Sequence, residues 1–359
     1  MNAPYRCHPD PDAERPRSGR GGACVGGRHD DLHRRTTRPH RFLPFAALRV
    51  VMTATLLIRA SQVVAGDSSL HLAHLGDFAL ENGQSIHDCR VGYRTHGQLA
   101  EDKSNVIVVL TWFGGTSEGV ESWIGPGKLY DSSKYFVVVI DAFGDGVSSS
   151  PSNGATAQFT MRDMVRAQHE LLTRELGLDH VFAVSGLSMG GMQTFQWVVS
   201  YPDYMSKAIP IVGTPKLTSY DLLLWKTELS LIDTPAGMKA AADINEMHLH
   251  TPSYIAAHVH DIDALMKNHE DLLYKINIHD YASQLRAMIG HDIGSTATIH
   301  AKMLVVVSEQ DHMVNPAPAR EFASASHSEL LALTGDCGHL ATVCKSERLT
   351  HEVANFLQR

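Results

Sequence analysis

Apolar runs rich in β-branched residues recur through residues 66–359 at a spacing that suits the strands of a mostly parallel sheet. Residues 105–111 (NVIVVLT), 135–141 (YFVVVID), 181–185 (VFAVS), 207–212 (KAIPIV), 302–307 (KMLVVV) and 329–334 (ELLALT) are the predicted strands. Each is apolar on both faces, as a strand covered by helices on either side has to be. Helical patterns lie between them. Thr160 with Asp163 resembles a capping box, and Met161, Met164, Val165, Leu171 and Leu172 follow at helical spacing. Further helices are predicted over residues 190–199 and 345–357. Strand and helix in alternation define an α/β protein. From 214 to 299 that rhythm breaks. The stretches SYDLLLWKTELSLI, IDALMKNHEDLLYKI and YASQLRAMI favour helix, and no buried strand stands out. This segment reads as a helical cap inserted between two parts of the core, 66–213 and 300–359.

The first 65 residues differ in kind. Residues 1–41 are rich in Arg, Pro and Gly and show no apolar periodicity. Residues 42–65 turn apolar and end in Val63-Val64-Ala65, small enough for a signal-peptidase site. Arg49 and Arg59 interrupt the run, so no stable membrane span is expected. The segment reads as a basic, largely disordered leader with an export signal, giving a periplasmic or secreted protein. A plain basic tail on a cytoplasmic protein is the alternative. Eleven Arg against five acids give residues 1–65 a net charge of +6, so the rest of the chain carries −14 of the total −8. An acidic body argues against nucleic-acid binding, which needs a basic face. Past the leader the cysteines are Cys89, Cys337 and Cys344. Cys337 and Cys344 could pair in an exported protein, but ordinary buried thiols are the expectation.

The chemistry centres on Gly186-Leu187-Ser188-Met189-Gly190, a G-x-S-x-G motif that follows a predicted strand and opens a predicted helix. Strand, sharp turn and helix are the context of a nucleophile elbow in the α/β-hydrolase fold. A serine hydroxyl needs a base to take its proton and a carboxylate to orient that base, and this fold places them in the order Ser, acid, His. Asp311 stands just past the strand at 302–307, with Glu309 as competitor. His339 stands just past the strand at 329–334, with His312 and His351 as competitors, the latter expected on a helix surface. Two backbone N–H groups should stabilise the oxyanion: that of Met189, and that of Phe113 or Trp112 beside Gly114 and Gly115. His248/His250 and His258/His260 form H-x-H pairs in the cap. No H-E-x-x-H motif or Cys cluster accompanies them, so they read as solvated histidines with no metal. Neither G-x-G-x-x-G nor a P-loop is present, and no cofactor is expected.

Residues 184–203 (VSGLSMGGMQTFQWVVSYPD), the Ile124-Gly125-Pro126-Gly127 turn with Tyr135-Phe136-Val137, and the SSSPSN stretch at 148–153 resemble homoserine O-acetyltransferases and their hydrolase-like relatives. The likeness covers about residues 75–359. It implies an α/β-hydrolase fold with a mostly parallel sheet and a helical cap, a Ser188-Asp311-His339 triad, Phe113 and Met189 as oxyanion donors, and a homodimer. Three positions depart from the acetyltransferases. Their oxyanion loop is H-A-L-T-G-like, whereas this chain has Thr111-Trp112-Phe113-Gly114-Gly115. An Asp follows their catalytic His and holds the substrate amine; here Leu340 follows His339. An Arg early in their cap takes the amino-acid carboxylate, and the matching stretch 223–231 has Lys226 but no Arg. The expectation is acyl transfer through an acyl-enzyme, with hydrolysis of a small ester or thioester ahead of acetyl transfer from acetyl-CoA to homoserine or another alcohol.

Overall fold

The structure, a computed structural model, describes residues 65–234, 236–294 and 299–359. The expected leader and its cleavage site, as far as Val64, lie outside the described residues. In chain order the strands are β1 His71–Ala79, β2 Ser85–His96, β3 Val106–Leu110, β4 Phe136–Ile140, β5 Val181–Leu187, β6 Met205–Ile211, β7 Lys302–Ser308 and β8 Glu329–Leu333. The helices are α1 Ser117–Val120, α2 Met161–Glu170, α3 Met189–Ser200, α4 Ser219–Leu231, α5 Gly237–Leu249, α6 Pro252–His258, α7 Ile262–Leu273, α8 Ile278–Ile289, α9 Ala317–Ala325, α10 Ala341–Cys344 and α11 Ser346–Gln358.

The strands form one sheet in the order β1-β2-β4-β3-β5-β6-β7-β8. Pairing is parallel from β4 through β8, while β1–β2 and β2–β4 are antiparallel. All six predicted strands are present. Val106–Leu110 and Phe136–Ile140 are buried along their whole length, as residues covered on both faces should be. Two apolar layers result. One gathers Met164, Phe195, Trp197 and Tyr281 on one side of the sheet, and the other gathers Val137, Ile209, Leu349 and Phe356 on the opposite side. Thr160 caps α2 as expected: its hydroxyl accepts from Asp163 N at 3.1 Å, and its own N–H reaches the Asp163 carboxylate at 3.0 Å.

The antiparallel edge, β1 and β2, has no counterpart in the sequence reading. Its register shifts twice, between His74 and Gly76 and between Gly76 and Phe78, and Asp88 opposite has φ +47. A bulge inserts a residue and so scrambles the two-residue alternation by which a half-buried strand is recognised. Five helices, α4 to α8, lie between β6 and β7. Hydrogen bonds tie both ends of this insertion to the core. Asp280 of α8 accepts from Ser152 N at 2.8 Å, and Asp221 of α4 accepts from Asn315 N at 2.9 Å.

Candidate active site

Strand β5 ends at Leu187 and helix α3 begins at Met189, so Ser188 alone makes the turn. It does so at φ +56 and ψ −116, a conformation costing about 1–3 kcal/mol for a residue with a Cβ. The flanking glycines make that turn possible. A Cβ on Gly186 would lie 2.5 Å from the Gly190 carbonyl carbon, and one on Gly190 would lie 2.3 Å from Leu110 O at the end of β3. Backbone occupies both places, so no side-chain shift relieves the clash. The hydroxyl of Ser188 is left half-exposed at the C-terminal edge of the sheet.

Asp311 and His339 follow β7 and β8, which bring them to that same edge. His339 Nε2 lies 2.9 Å from Ser188 Oγ, and His339 Nδ1 lies 2.7 Å from Asp311 Oδ2. The other oxygen, Asp311 Oδ1, accepts from the backbone N–H groups of Met313 and Val314, each at 2.9 Å. Those two bonds fix the carboxylate so that Oδ2 faces the imidazole. Asp311 and His339 are buried. The alternatives lie elsewhere. Glu309 is at the surface, 3.1 Å from Arg320. His312 donates from Nε2 to His250 O at 2.8 Å. His351 is exposed on α11 beside Glu352.

Met189 is the first residue of α3, where a backbone N–H has no partner within the helix. In the loop after β3, Gly115 N donates to Trp112 O at 2.9 Å and Gly114 N donates to Gln284 Oε1 at 2.8 Å. Phe113 N donates to no described residue. Helix α8 covers this loop. Gln284 also donates to Phe143 O at 3.0 Å, and the Tyr281 ring stands edge-on to Phe113 with centroids 4.6 Å apart. Tyr281 in turn donates to Glu228 Oε2 of α4 at 2.9 Å. Burial pushes the Glu228 carboxyl up to about 7, and its Oε1 is buried without a partner among the described residues.

A family model described as alpha/beta hydrolase fold matches residues 105–247. The solved structure of an acetylester hydrolase from Corynebacterium glutamicum superimposes with a TM-score of 0.75 at 26% identity, over 80% of this chain and 95% of that one. The chain has an α/β-hydrolase fold. A Corynebacterium glutamicum protein named as a probable esterase is 40% identical over 174 residues, 46% of this chain and 50% of that one. The ethyl acetate hydrolase of Pseudomonas veronii is 38% identical over 177 residues, 47% of this chain and 51% of that one. The homoserine O-acetyltransferase of Methanohalophilus mahii is 36% identical over 160 residues, 38% of this chain and 33% of that one. The chain spans about half the length of the first two curated relatives.

Within this fold two expectations need correcting. Cys337 and Cys344 form a disulfide, where buried thiols were expected, because the short turn and helix α10 between them bring their Cα atoms to 6.5 Å. His250 is not a solvated histidine. It is buried, with Nδ1 3.2 Å from Glu246, and Glu246 also meets His269 at 3.1 Å. Its neighbour His248 is half-buried, while His258 and His260 are exposed. Among the described residues no group of three or more His, Cys, Asp or Glu is arranged to hold a metal.

Sequence reasoning missed Gln284, Tyr281 and Glu228. Tyr281 and Gln284 lie on α8, whose local pattern records only amphipathicity, and Glu228 lies on α4, whose apolar residues mark no single face; they come together only once α8 packs over the 112–115 loop and α4 meets α8. The SSSPSN stretch also gains a physical meaning. Ser148 Oγ and Ser149 Oγ accept from Gly92 N and Arg90 N, each at 2.9 Å, joining this loop to β2, while Ser152 binds Asp280 of α8.

Proposed function

We propose that this chain is a serine esterase working through an acyl-enzyme, with small acetyl-type esters as substrates and water as acceptor. The observation that carries the reading is the single imidazole bonded to Asp311 on one side and Ser188 on the other. His339 Nε2 takes the proton as Ser188 Oγ attacks the ester carbonyl, and Asp311 holds the tautomer that leaves Nε2 free and stabilises the imidazolium. The backbone N–H groups of Met189 and Phe113 take the oxyanion. His339 then returns its proton to the leaving alcohol, and a water activated at the same nitrogen releases the acid.

Transfer to homoserine is disfavoured by the charges available. Leu340 follows His339, and Lys226, the cation of the matching cap stretch, is exposed. The charged groups that α4 does bury are acidic, Asp221 and Glu228. An amino-acid carboxylate entering beside a buried acid without a cation loses charge-assisted bonds of about 1.5–3 kcal/mol each. The relatives named for ester hydrolysis support water as acceptor. Export belongs to the same proposal: the 1–65 segment has the composition of a leader, and the Cys337–Cys344 bond suits an oxidising compartment. The homodimer is proposed from the resemblance, and sedimentation tests it.

A fluorophosphonate should label Ser188, and Ser188→Ala should abolish both labelling and turnover of p-nitrophenyl acetate. The acetyl-enzyme offered homoserine alongside water should release acetate. Acetylhomoserine as the main product would establish the transferase instead, and an adduct at another residue would remove Ser188 from its role.

A further inference from the structure

The chain closes a covalent ring around its histidine. Cys337 precedes the turn Gly338–Leu340 that carries His339, and Cys344 ends α10 seven residues on. We propose that the Cys337–Cys344 disulfide is a redox lock on the base: the bridged protein is the active form, and a dithiol reductant switches it down by letting His339 leave its place between Asp311 and Ser188. The inference rests on the proposed role of His339.

Besides the bridge, the burial of Cys337, Gly338, His339, Ala341 and Thr342 and two hydrogen bonds restrain this segment. Ser308 Oγ donates to Gly338 O at 2.6 Å, and the Thr251 hydroxyl donates to Asp336 O. Gly335 and Gly338 adopt φ +121 and +63, conformations open to glycine and strained for residues with a side chain. Gly335 stands outside the ring and Gly338 inside it, where Gly338 fits closely against the backbone of Leu249 and His250. The disulfide holds the far end of the turn to the near end, restricting the part of the chain that contains Gly338 and His339. The catalytic bonds of His339 are then kept by one side chain on a closed ring rather than on an open loop.

The reducing step is ordinary thiol–disulfide exchange. A dithiothreitol thiolate attacks Sγ of Cys344, which is half-buried where Cys337 is buried. The Cys337 thiolate leaves and is protonated, and a mixed disulfide forms at Cys344. The second dithiothreitol thiol displaces Cys344, which is protonated in turn. Two electrons and two protons end on the cysteines, and the reagent leaves as its cyclic disulfide. Cys89 does not interfere. It is buried, and burial pushes its thiol up to about 12, so it supplies almost no thiolate to scramble the bridge.

The test uses the full chain, reduced anaerobically with dithiothreitol and freed of reductant before assay on p-nitrophenyl acetate. Displacing a catalytic group by about 1 Å costs on the order of 100-fold, so kcat should fall by about 10- to 100-fold with KM little changed. Reoxidation should restore it. Cys337→Ser/Cys344→Ser should match the reduced enzyme and ignore dithiothreitol, while Cys89→Ser should respond as the wild type does. Far-UV circular dichroism is read on the same samples. Full kcat after complete reduction would overturn the proposal. So would activity and dichroism lost together, since the bridge would then be a staple of the fold. An oxidised protein that neither turns over ester nor labels at Ser188 would instead refute the esterase reading and leave the lock without a base to hold.

Discussion

Glu228→Gln should gain stability relative to the wild type as pH rises from 4.5 to 8. Glu228 is fully buried, accepts one hydrogen bond from Tyr281, and has its second oxygen unpartnered among the described residues. Burial raises the carboxyl from 4.5 to about 7, with the Tyr281 bond opposing. In the unfolded chain the group ionises near 4.5, and in the folded chain it keeps its proton until about 7. Between those values the folded state binds more protons, so stability is full below 4.5 and is lost as pH rises through 7. At 1.36 kcal/mol for each pH unit of that window, the loss at pH 8 is about 3 kcal/mol. Glutamine keeps the acceptor for Tyr281 and cannot ionise. Any cost of its unpaired amide is the same at both pH values and cancels when they are compared. Urea unfolding of wild type and variant at pH 4.5 and pH 8 measures the difference directly. The variant should gain about 3 kcal/mol relative to wild type between the two. Parallel pH profiles would show that Glu228 titrates at its ordinary value and that the cap does not enclose it.

His291 works in the opposite sense. Burial lowers its imidazole to about 4, so stability falls as pH drops from 6.5 towards 4, by about 3 kcal/mol in all. That fall should stand out in urea titrations of Glu228→Gln and be absent from Glu228→Gln/His291→Asn. Asp311→Asn should lower kcat on p-nitrophenyl acetate by roughly 10⁴ through the wrong His339 tautomer, while Glu309→Gln should stay within about twofold of wild type. The reverse ranking would make Glu309 the acid. Gln284→Ala frees Gly114 N and Phe143 O and unfastens the loop that presents Phe113. It should cut kcat by about 10-fold with KM held, and equal losses in binding and turnover would show that Gln284 serves the substrate and not the loop.

Much of the core could be read along the chain. Five of the six predicted strands declared themselves because burial on both faces leaves an unbroken apolar run, a signal that needs no knowledge of neighbours, whereas β8 lies at the sheet edge with Leu330 exposed despite its apolar run. The elbow was legible for a similar reason: a residue at φ +56 between strand and helix requires glycine wherever backbone crowds it, and that requirement is written locally at Gly186 and Gly190. The sequence proposed Asp311 over Glu309 from position alone. In the structure two backbone N–H groups aim the Asp311 carboxylate at His339, and an arginine lies against Glu309.

What the sequence determined by itself is therefore whatever a short stretch must satisfy within its own length: the α/β alternation, the turn at Ser188, the helical make-up of residues 214–299. The tertiary structure decided everything that depends on two distant stretches meeting. It paired β1 with β2 across a bulge, outside any alternation. It turned Lys226 outward and Glu228 inward, a choice made by the packing of α4 on α8 and not by the residues themselves. It also joined Cys337 to Cys344, since two cysteines seven apart meet only when the chain between them coils as the His339 turn and α10 do. Local conformation depends on neighbours in the chain, whereas burial, charge pairing and cross-linking depend on neighbours in space.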